Sequence, residues 1–221
     1  MGDPKVRKVK RILLSVVVVV AGLAGLNRYA QTQADVPEIE GPPIVYDHLV
    51  YDHLANQETD PFMFSGNLMN GEHARWPQYR RAIGQFQDVR DCLVDEERGK
   101  DNPNLLLIDW QHLKKRRNIE VCLFRIFRSL NSISLIRKWL EFHEFQNIRY
   151  SRIFSETYIP QSQTEPVAGI FGSWSAEETL NRLPTFMWRV FGWTLLQGTS
   201  ITVKLSESGE IVGVGLSYTY E

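Results

Sequence analysis

The hydrophobic pattern of the chain begins with an unbroken apolar run, Ile12–Leu26, which directly follows five basic residues. This order is typical of a secretory signal peptide and of a short membrane anchor. As a helix the run is roughly 22 Å long, against a hydrocarbon core of about 30 Å. An anchor therefore needs its polar ends at the interface, whereas Thr32–Ala34 offers small residues for cleavage. Residues 1–34 are predicted to be either a signal anchor or a signal peptide, with membrane contact through residues 12–26 and the N-terminus inside.

Residues 35–43 are rich in Pro and acidic residues, which predicts an extended linker. Beyond it, apolar positions recur at helical spacing in three segments. The tandem repeat Val45–Leu54, a long segment at 78–97 and a segment from Asn131 or Ser132 to Phe145 are therefore predicted to be helices. In Leu105–Leu113 the periodicity is ambiguous, and a helix is favoured.

Strands are predicted where β-branched and aromatic residues cluster or alternate. Ile119–Phe127 is nearly continuously apolar, which favours a buried strand. A capping box at Ser175–Glu178 predicts a short helix that Pro184 ends. The other predicted strands are 147–159, 186–196, 200–206 and 210–220, with short hairpin connections at 197–199 and 207–210.

These elements predict an α+β fold in a single exported domain, residues 44–221. Its mostly antiparallel sheet would contain 119–128, 147–159 and a C-terminal three-stranded meander, with the helices covering one face. The order of helix and meander in residues 173–220 resembles the layout of small envelope proteins of the outer-membrane assembly lipoprotein and β-lactamase-inhibitor-like type. The resemblance concerns element order, and no site residue is carried over from it.

Charge and cysteine content narrow the classes of function. The formal net charge is -1, but 19 basic and 25 acidic residues follow Ala34, so the body carries -6. An acidic exported body argues against nucleic acid as a partner. Cys92 and Cys122 are the only thiols. In an oxidising compartment they are expected to form a disulfide, the alternative being two separate buried thiols.

Three polar residues form the candidate chemical site. On a helix, His48 and Asp52 would share one face four residues apart, with His73 or Glu58 as a third group. A solvated helix face with an ordinary ion pair explains the same spacing. Nucleophile-elbow, phosphate-loop and zinc-protease signatures are absent from the sequence. No metal or cofactor is predicted, and the catalytic residues stay unassigned.

The candidate binding surface lies in the apolar segment 186–196. Its two alternating sets of side chains are both apolar, so one set needs a second layer. The helices predicted at 78–97 and 132–145 would supply that layer, or else Trp188 or Trp193 forms an exposed patch for a protein partner. The sequence thus favours a membrane-tethered or secreted envelope protein that acts by binding another envelope component. The alternative is an exported hydrolase or metal-dependent enzyme that uses His48, Asp52 and His73.

Overall fold

A computed structural model describes residues 48–153, 159–183 and 196–220. The chain divides into two units, Met1–Asp35 and Val36–Glu221, and every described residue belongs to the second. Within these residues the predicted α+β class is confirmed, because six α-helices pack with a four-stranded antiparallel sheet. The elements are β1 (Met63–Phe64), β2 (Asn67–Leu68), α1 (Trp76–Gln85), a 3₁₀ helix (Val89–Cys92), α2 (Asp95–Arg98), α3 (Trp110–Leu113), α4 (Arg116–Leu130), α5 (Ile133–Phe142), β3 (Gln146–Arg152), β4 (Ala168–Ser175), α6 (Ala176–Arg182), β5 (Leu196–Leu205) and β6 (Ile211–Tyr220).

The sheet has the strand order β3-β4-β5-β6, and each neighbouring pair is antiparallel. Because side chains alternate along a strand, the register assigns each residue to one of two faces. The inner face carries Ile170, Ile201, Val203, Val214 and Leu216, all buried, and helices α4, α5 and α6 pack on the sheet. The outer face carries smaller and more polar residues, among them Ser173, Ser200, Thr202, Lys204, Gly213 and Ser217.

Helix α4 corrects the largest error of the sequence analysis, which assigned 119–127 to a buried strand. From Ile119 to Leu130 every residue except Arg128 is buried. A helix that is enclosed on all sides shows no polar stripe, so its apolar run resembles that of a buried strand. The segment 119–128 therefore belongs to the helical layer, and it is not part of the sheet.

The predicted helix Val45–Leu54 is also wrong where it is described, because residues 48–54 are not helical. Their backbone groups bond to distant residues instead. The Asp52 amide donates to the Ser129 carbonyl at 2.9 Å, and the Ala55 amide donates to the Ser129 hydroxyl at 2.9 Å. Hydrogen bonds to the end of α4 thus replace the hydrogen bonds of a local helix.

The long helix predicted at 78–97 is broken into α1, the 3₁₀ helix and α2. The break occurs at Asp88, whose carboxylate accepts from the Arg90 amide at 2.8 Å while its own amide donates to Asp91 at 2.9 Å. This capping box starts a new helical turn at Asp88. The apolar residues keep the spacing of one long helix, although the helix itself is interrupted. In the segment Leu105–Leu113, only Trp110–Leu113 is helical.

The C-terminal half follows the sequence more closely. Helix α5 is confirmed at Ile133–Phe142, and Ser175 caps α6 by accepting from the Glu178 amide. The predicted strand 147–159 corresponds to β3, which spans Gln146–Arg152, and residues 154–158 lie outside the described residues. The predicted hairpin turn at 197–199 is wrong, because these residues lie inside β5 and pair with β4 and β6. Strands β1, β2 and β4 were not predicted.

Several predictions concern residues outside those the structure describes. They are the signal segment 1–34, the linker 35–43, Trp188, Trp193 and most of the strand 186–196. Since that strand would begin the C-terminal meander, the meander stays a prediction. Across the three described ranges, no helix is both long and apolar enough to cross a membrane.

The hairpin β1–β2 is tightly fixed against the edge of the sheet. Its two turn residues, Ser65 and Gly66, have φ angles of 50° and 82°, as a type I′ turn requires. The Gly66 amide donates to the Val212 carbonyl at 2.7 Å. A Cβ atom on Gly66 would lie 2.1 Å from the Thr164 carbonyl oxygen, and one on Gly213 would lie 2.8 Å from the Ser65 amide nitrogen. The backbone of the turn therefore packs directly against Thr164 on one side and Gly213 on the other, which leaves no room for a Cβ atom at Gly66 or Gly213.

We expect Gly66→Ala to lower the free energy of unfolding more than Gly209→Ala does. Gly209 has a nearly identical φ of 83°, but a Cβ atom there meets no atom within 4 Å. Gly209→Ala should therefore cost about 1 kcal/mol for its backbone conformation alone, and Gly66→Ala about 1–3 kcal/mol more for the steric clash. Urea unfolding of both variants measures the difference. Equal losses would mean that the turn is not packed against Thr164.

Candidate anion-binding site

The structure gives His48, Asp52 and His73 separate surroundings. The His48 ring donates to the Leu49 carbonyl at 3.2 Å, whereas Asp52 accepts from His53 at 3.2 Å. His73 accepts from the Arg75 amide at 3.0 Å and packs edge-on to the Phe64 ring. Because residues 48–54 are not helical, the four-residue spacing does not create a common face. In the described part of the chain, no group of three or more His, Cys, Asp or Glu could hold a metal ion.

Cys92 and Cys122 form a disulfide between the 3₁₀ helix and α4, and neither residue is exposed to solvent. Their sequence separation is 30 residues. In the chain-entropy model, a loop of about this length stabilises the fold by roughly 3.5 kcal/mol. Its role is structural, since a buried disulfide offers no accessible sulfur.

Two cations meet at the Phe64 ring, beside the tip of the β1–β2 hairpin. The Arg75 guanidinium carbon lies 4.6 Å from the ring centroid, and the Lys204 ammonium nitrogen lies 5.6 Å from it. Both distances lie within the range of cation–π attraction. Neither side chain has an ion pair with a carboxylate of the described residues. We call Phe64, Ser65, His73, Arg75 and Lys204 the Phe64 site.

Lys204 projects from β5 into a space left by its neighbours. The register places Gly169 and Gly213 on either side of it, and neither carries a side chain. Its ammonium group donates a hydrogen bond to the Ser65 hydroxyl. Burial lowers the pKa of Lys204, and the positive charge of Arg75 lowers it further. Glu120 acts in the opposite direction, but the net effect is a destabilised positive charge.

The Glu120 carboxylate lies behind the Phe64 site and is completely buried. Tyr79, which also contacts the Phe64 ring, links the two. Burial raises the pKa of the Tyr79 phenol, as does the negative charge of Glu120. Glu120 accepts four hydrogen bonds, from Tyr79 at 2.7 Å, Arg116 at 2.9 Å, Arg117 at 2.7 Å and the Leu216 amide at 3.1 Å. All of its lone-pair directions are therefore used within the protein.

The charge balance of this region favours an anionic ligand. Arg116 and Arg117 both pair with the single carboxylate of Glu120. The negative charge of Glu120 also raises the pKa of Lys204, but neither Arg75 nor Lys204 forms an ion pair with a carboxylate of the described residues. Arg75 is exposed and Ser65 is partly exposed, so a ligand has access. A carboxylate or phosphate at this position would accept from Arg75, Lys204 and Ser65 together.

A second unusual residue, His143, lies elsewhere in the core. It is enclosed by aromatic rings, with Trp139 at 3.9 Å and Trp110 at 5.4 Å between ring centroids. Burial lowers the pKa of His143 to about 3, so the ring is neutral at physiological pH. The ring nitrogens and the Trp110 indole nitrogen are buried without a hydrogen bond to the described residues. The positive charge of Arg182 lowers the pKa of His143 further, and the Leu106 carbonyl raises it, but the effect of burial is the largest.

Sequence reasoning missed the Phe64 site, although it marked single features of it. Ser65-Gly66-Asn67 has the composition of a turn, and Lys204 falls in the predicted strand 200–206. No local sequence pattern links the two residues, because Ser65 and Lys204 are 139 residues apart. Only His73 belongs both to the predicted polar cluster and to the observed site.

Comparisons with models of protein families, with curated proteins and with solved structures give no match for this chain. The resemblance in layout over residues 173–220 therefore stays a prediction.

We expect Glu120→Gln to destabilise the fold by about 1–3 kcal/mol, because the amide has one acceptor oxygen and leaves the buried Tyr79 hydroxyl or the Leu216 amide without an acceptor. Glu141→Gln is the matched control, since Glu141 forms an exposed pair with Arg137 at 2.9 Å. Its loss should be about 1 kcal/mol or less. The denaturant midpoint of each variant measures the effect. Similar midpoints would show that Glu120 is not a structural centre.

Proposed function

We propose that this chain is a membrane-tethered binding protein of the cell envelope that holds an acidic group of another envelope component. The binding position is the Phe64 site. The observation that carries the proposal is the pair of cations, Arg75 and Lys204, against one aromatic ring without a carboxylate partner in the described residues. The Arg75 charge lowers the pKa of Lys204, and a bound oxyanion would offset that repulsion.

Two features support the envelope location. The basic residues before Ile12–Leu26 favour a segment that engages the membrane with the N-terminus inside. The Cys92–Cys122 disulfide favours an oxidising compartment, because disulfides rarely persist in the cytosol. The two features lie in different units of the chain, so their agreement is not a consequence of a single pattern.

The acidic body restricts what the partner is. A net charge of -6 beyond Ala34 repels a uniformly anionic surface, so binding would be confined to the local basic site. The partner is therefore expected to present a discrete carboxylate or phosphate group. The rival hypothesis of an enzyme using His48, Asp52 and His73 assumed a helix at Val45–Leu54, and residues 48–54 are not helical. The hypothesis of an aromatic surface at Trp188 or Trp193 stays open beside this proposal.

A reporter fused after Glu221 tests the location. An alkaline phosphatase fusion should be active and a cytosolic fluorescent-protein fusion dark, because the basic flank keeps the N-terminus inside. Removing the charges of Lys5, Arg7, Lys8, Lys10 and Arg11 should reduce the phosphatase signal. An inactive phosphatase with a bright fluorescent fusion would contradict the envelope location.

Calorimetric titration of the detergent-solubilised full chain tests the binding. Pyrophosphate and citrate serve as phosphate and carboxylate probes at low salt, and their affinities show which group is preferred. Arg75→Gln and Lys204→Gln should each weaken binding about tenfold or more, because each removes a charge-assisted hydrogen bond. Arg81→Gln is the control, since Arg81 is an equally charged exposed residue of α1. Equal affinities for all three variants would contradict the proposal.

A further inference from the structure

The Ser65–Lys204 contact has a chemical consequence beyond binding. A serine hydroxyl is a weak nucleophile unless an adjacent base removes its proton. The neutral amine of a lysine acts as such a base when it lies within hydrogen-bond reach of the hydroxyl. In this structure the Lys204 nitrogen and the Ser65 oxygen are hydrogen-bonded directly.

We propose that Ser65 is a nucleophile and Lys204 its general base in an acyl-transfer reaction at the Phe64 site. The substrate class is an ester or amide whose carbonyl lies near an acidic group. The proposal rests on the proposed function, because the same site binds the acidic group. Arg75, which stays charged, would hold that group while Lys204 acts on Ser65.

The geometry of the turn supports this role for Ser65. Its backbone is fixed by the Gly66 hydrogen bond to Val212 and by the close approach to Gly213. The hydroxyl is therefore held next to Lys204 by rigid backbone, which is the arrangement that a preorganised nucleophile needs. Ser65 also lies at the tip of a hairpin, where its side chain is partly exposed to an incoming substrate.

The electrostatic setting of Lys204 supports its role as a base. Burial and the Arg75 charge lower its pKa from the ordinary value of 10.5, which increases the neutral fraction near neutral pH. Glu120 opposes this change from α4. His73 and Tyr79 are the other titratable groups near the site, and both contact the Phe64 ring. The protonated lysine would bind an anion, and the neutral lysine would accept the serine proton.

The reaction balances without a further reagent. The Ser65 oxygen forms a bond to the carbonyl carbon, its proton passes to the Lys204 nitrogen, and the carbonyl π electrons move to oxygen. When the carbonyl re-forms, the bond to the leaving oxygen or nitrogen breaks and that atom takes the proton from Lys204. Water then repeats the sequence, releases the carboxylic acid and regenerates Ser65.

The test uses the full-length chain in detergent with 4-nitrophenyl acetate as the acyl donor. We expect nitrophenolate release and an acetyl group on Ser65, located by tandem mass spectrometry. Ser65→Ala should lose this label, and Lys204→Met should slow acetylation of Ser65 about 100-fold or more. The rate should rise with pH as Lys204 loses its proton, reaching half its maximum below pH 10.5. Excess pyrophosphate should slow it by occupying the site.

Controls separate chemistry from folding and from binding. Ser217→Ala removes an exposed hydroxyl on β6 and should leave acetylation of Ser65 unchanged. Lys204→Arg keeps a cation but has no neutral form at accessible pH, so it should slow acetylation as strongly as Lys204→Met. Near-ultraviolet circular dichroism checks that each variant is folded.

Each outcome decides between the two proposals. Acetylation of Lys204 or of other residues without Ser65 would overturn the acyl-transfer role, as would Ser65 acetylation that is insensitive to both Lys204 variants. If the wild-type chain still binds pyrophosphate in that case, the proposed binding function stands. Loss of both binding and acetylation would overturn both proposals.

Discussion

The fold depends on polar partners for two buried charges of opposite sign on a single helix. Glu120 and Arg125 of α4 are both fully buried, and charges in such positions are strongly unfavourable unless they are paired or hydrogen-bonded. Burial lowers the pKa of Arg125 to about 10. The groups that compensate these charges come from the first turn of α4 itself, from α1, from the edge of β6 and from the loops before and after α1. They are Tyr79, Arg116, Arg117 and the Leu216 amide for Glu120, and Asn56, Gln57, Asp60 and Phe86 for Arg125.

Hydrogen bonds from buried and closely packed groups also cover the edge of the described sheet. An edge strand presents unpaired amides and carbonyls, which favour association with other chains. On β6, Glu120 accepts from the Leu216 amide, and the Gly66 amide donates to the Val212 carbonyl. The β1–β2 hairpin is thereby held at this edge. Its position places Ser65 and Phe64 beside Lys204, so the candidate site follows from the way in which the edge is covered.

In this region, the charged group that stabilises the fold is distinct from the charged groups that are proposed to bind a ligand. The Glu120 carboxylate has its full set of partners and acts within the protein. Arg75 and Lys204 lie nearer the surface against an aromatic ring, and Lys204 also donates a hydrogen bond to a serine. The lowered pKa of Lys204 makes its neutral form more accessible, which is why both anion binding and proton transfer are proposed for this residue.

The sequence by itself determined the α+β class, α5, the Ser175 cap, the hairpin before Ile211 and the expectation of a Cys92–Cys122 bond. These features arise from local periodicity, local capping and a count of thiols, so they do not require knowledge of the chain path. The tertiary structure decided that Ile119–Phe127 is a helix, because enclosure on all sides removes the amphipathic pattern. It likewise decided that residues 48–54 are not helical, since Ser129 accepts hydrogen bonds from the Asp52 and Ala55 amides. The Phe64 site was beyond the reach of the sequence, because Ser65 and Lys204 meet only where a hairpin closes on the edge of a sheet formed from the other end of the chain.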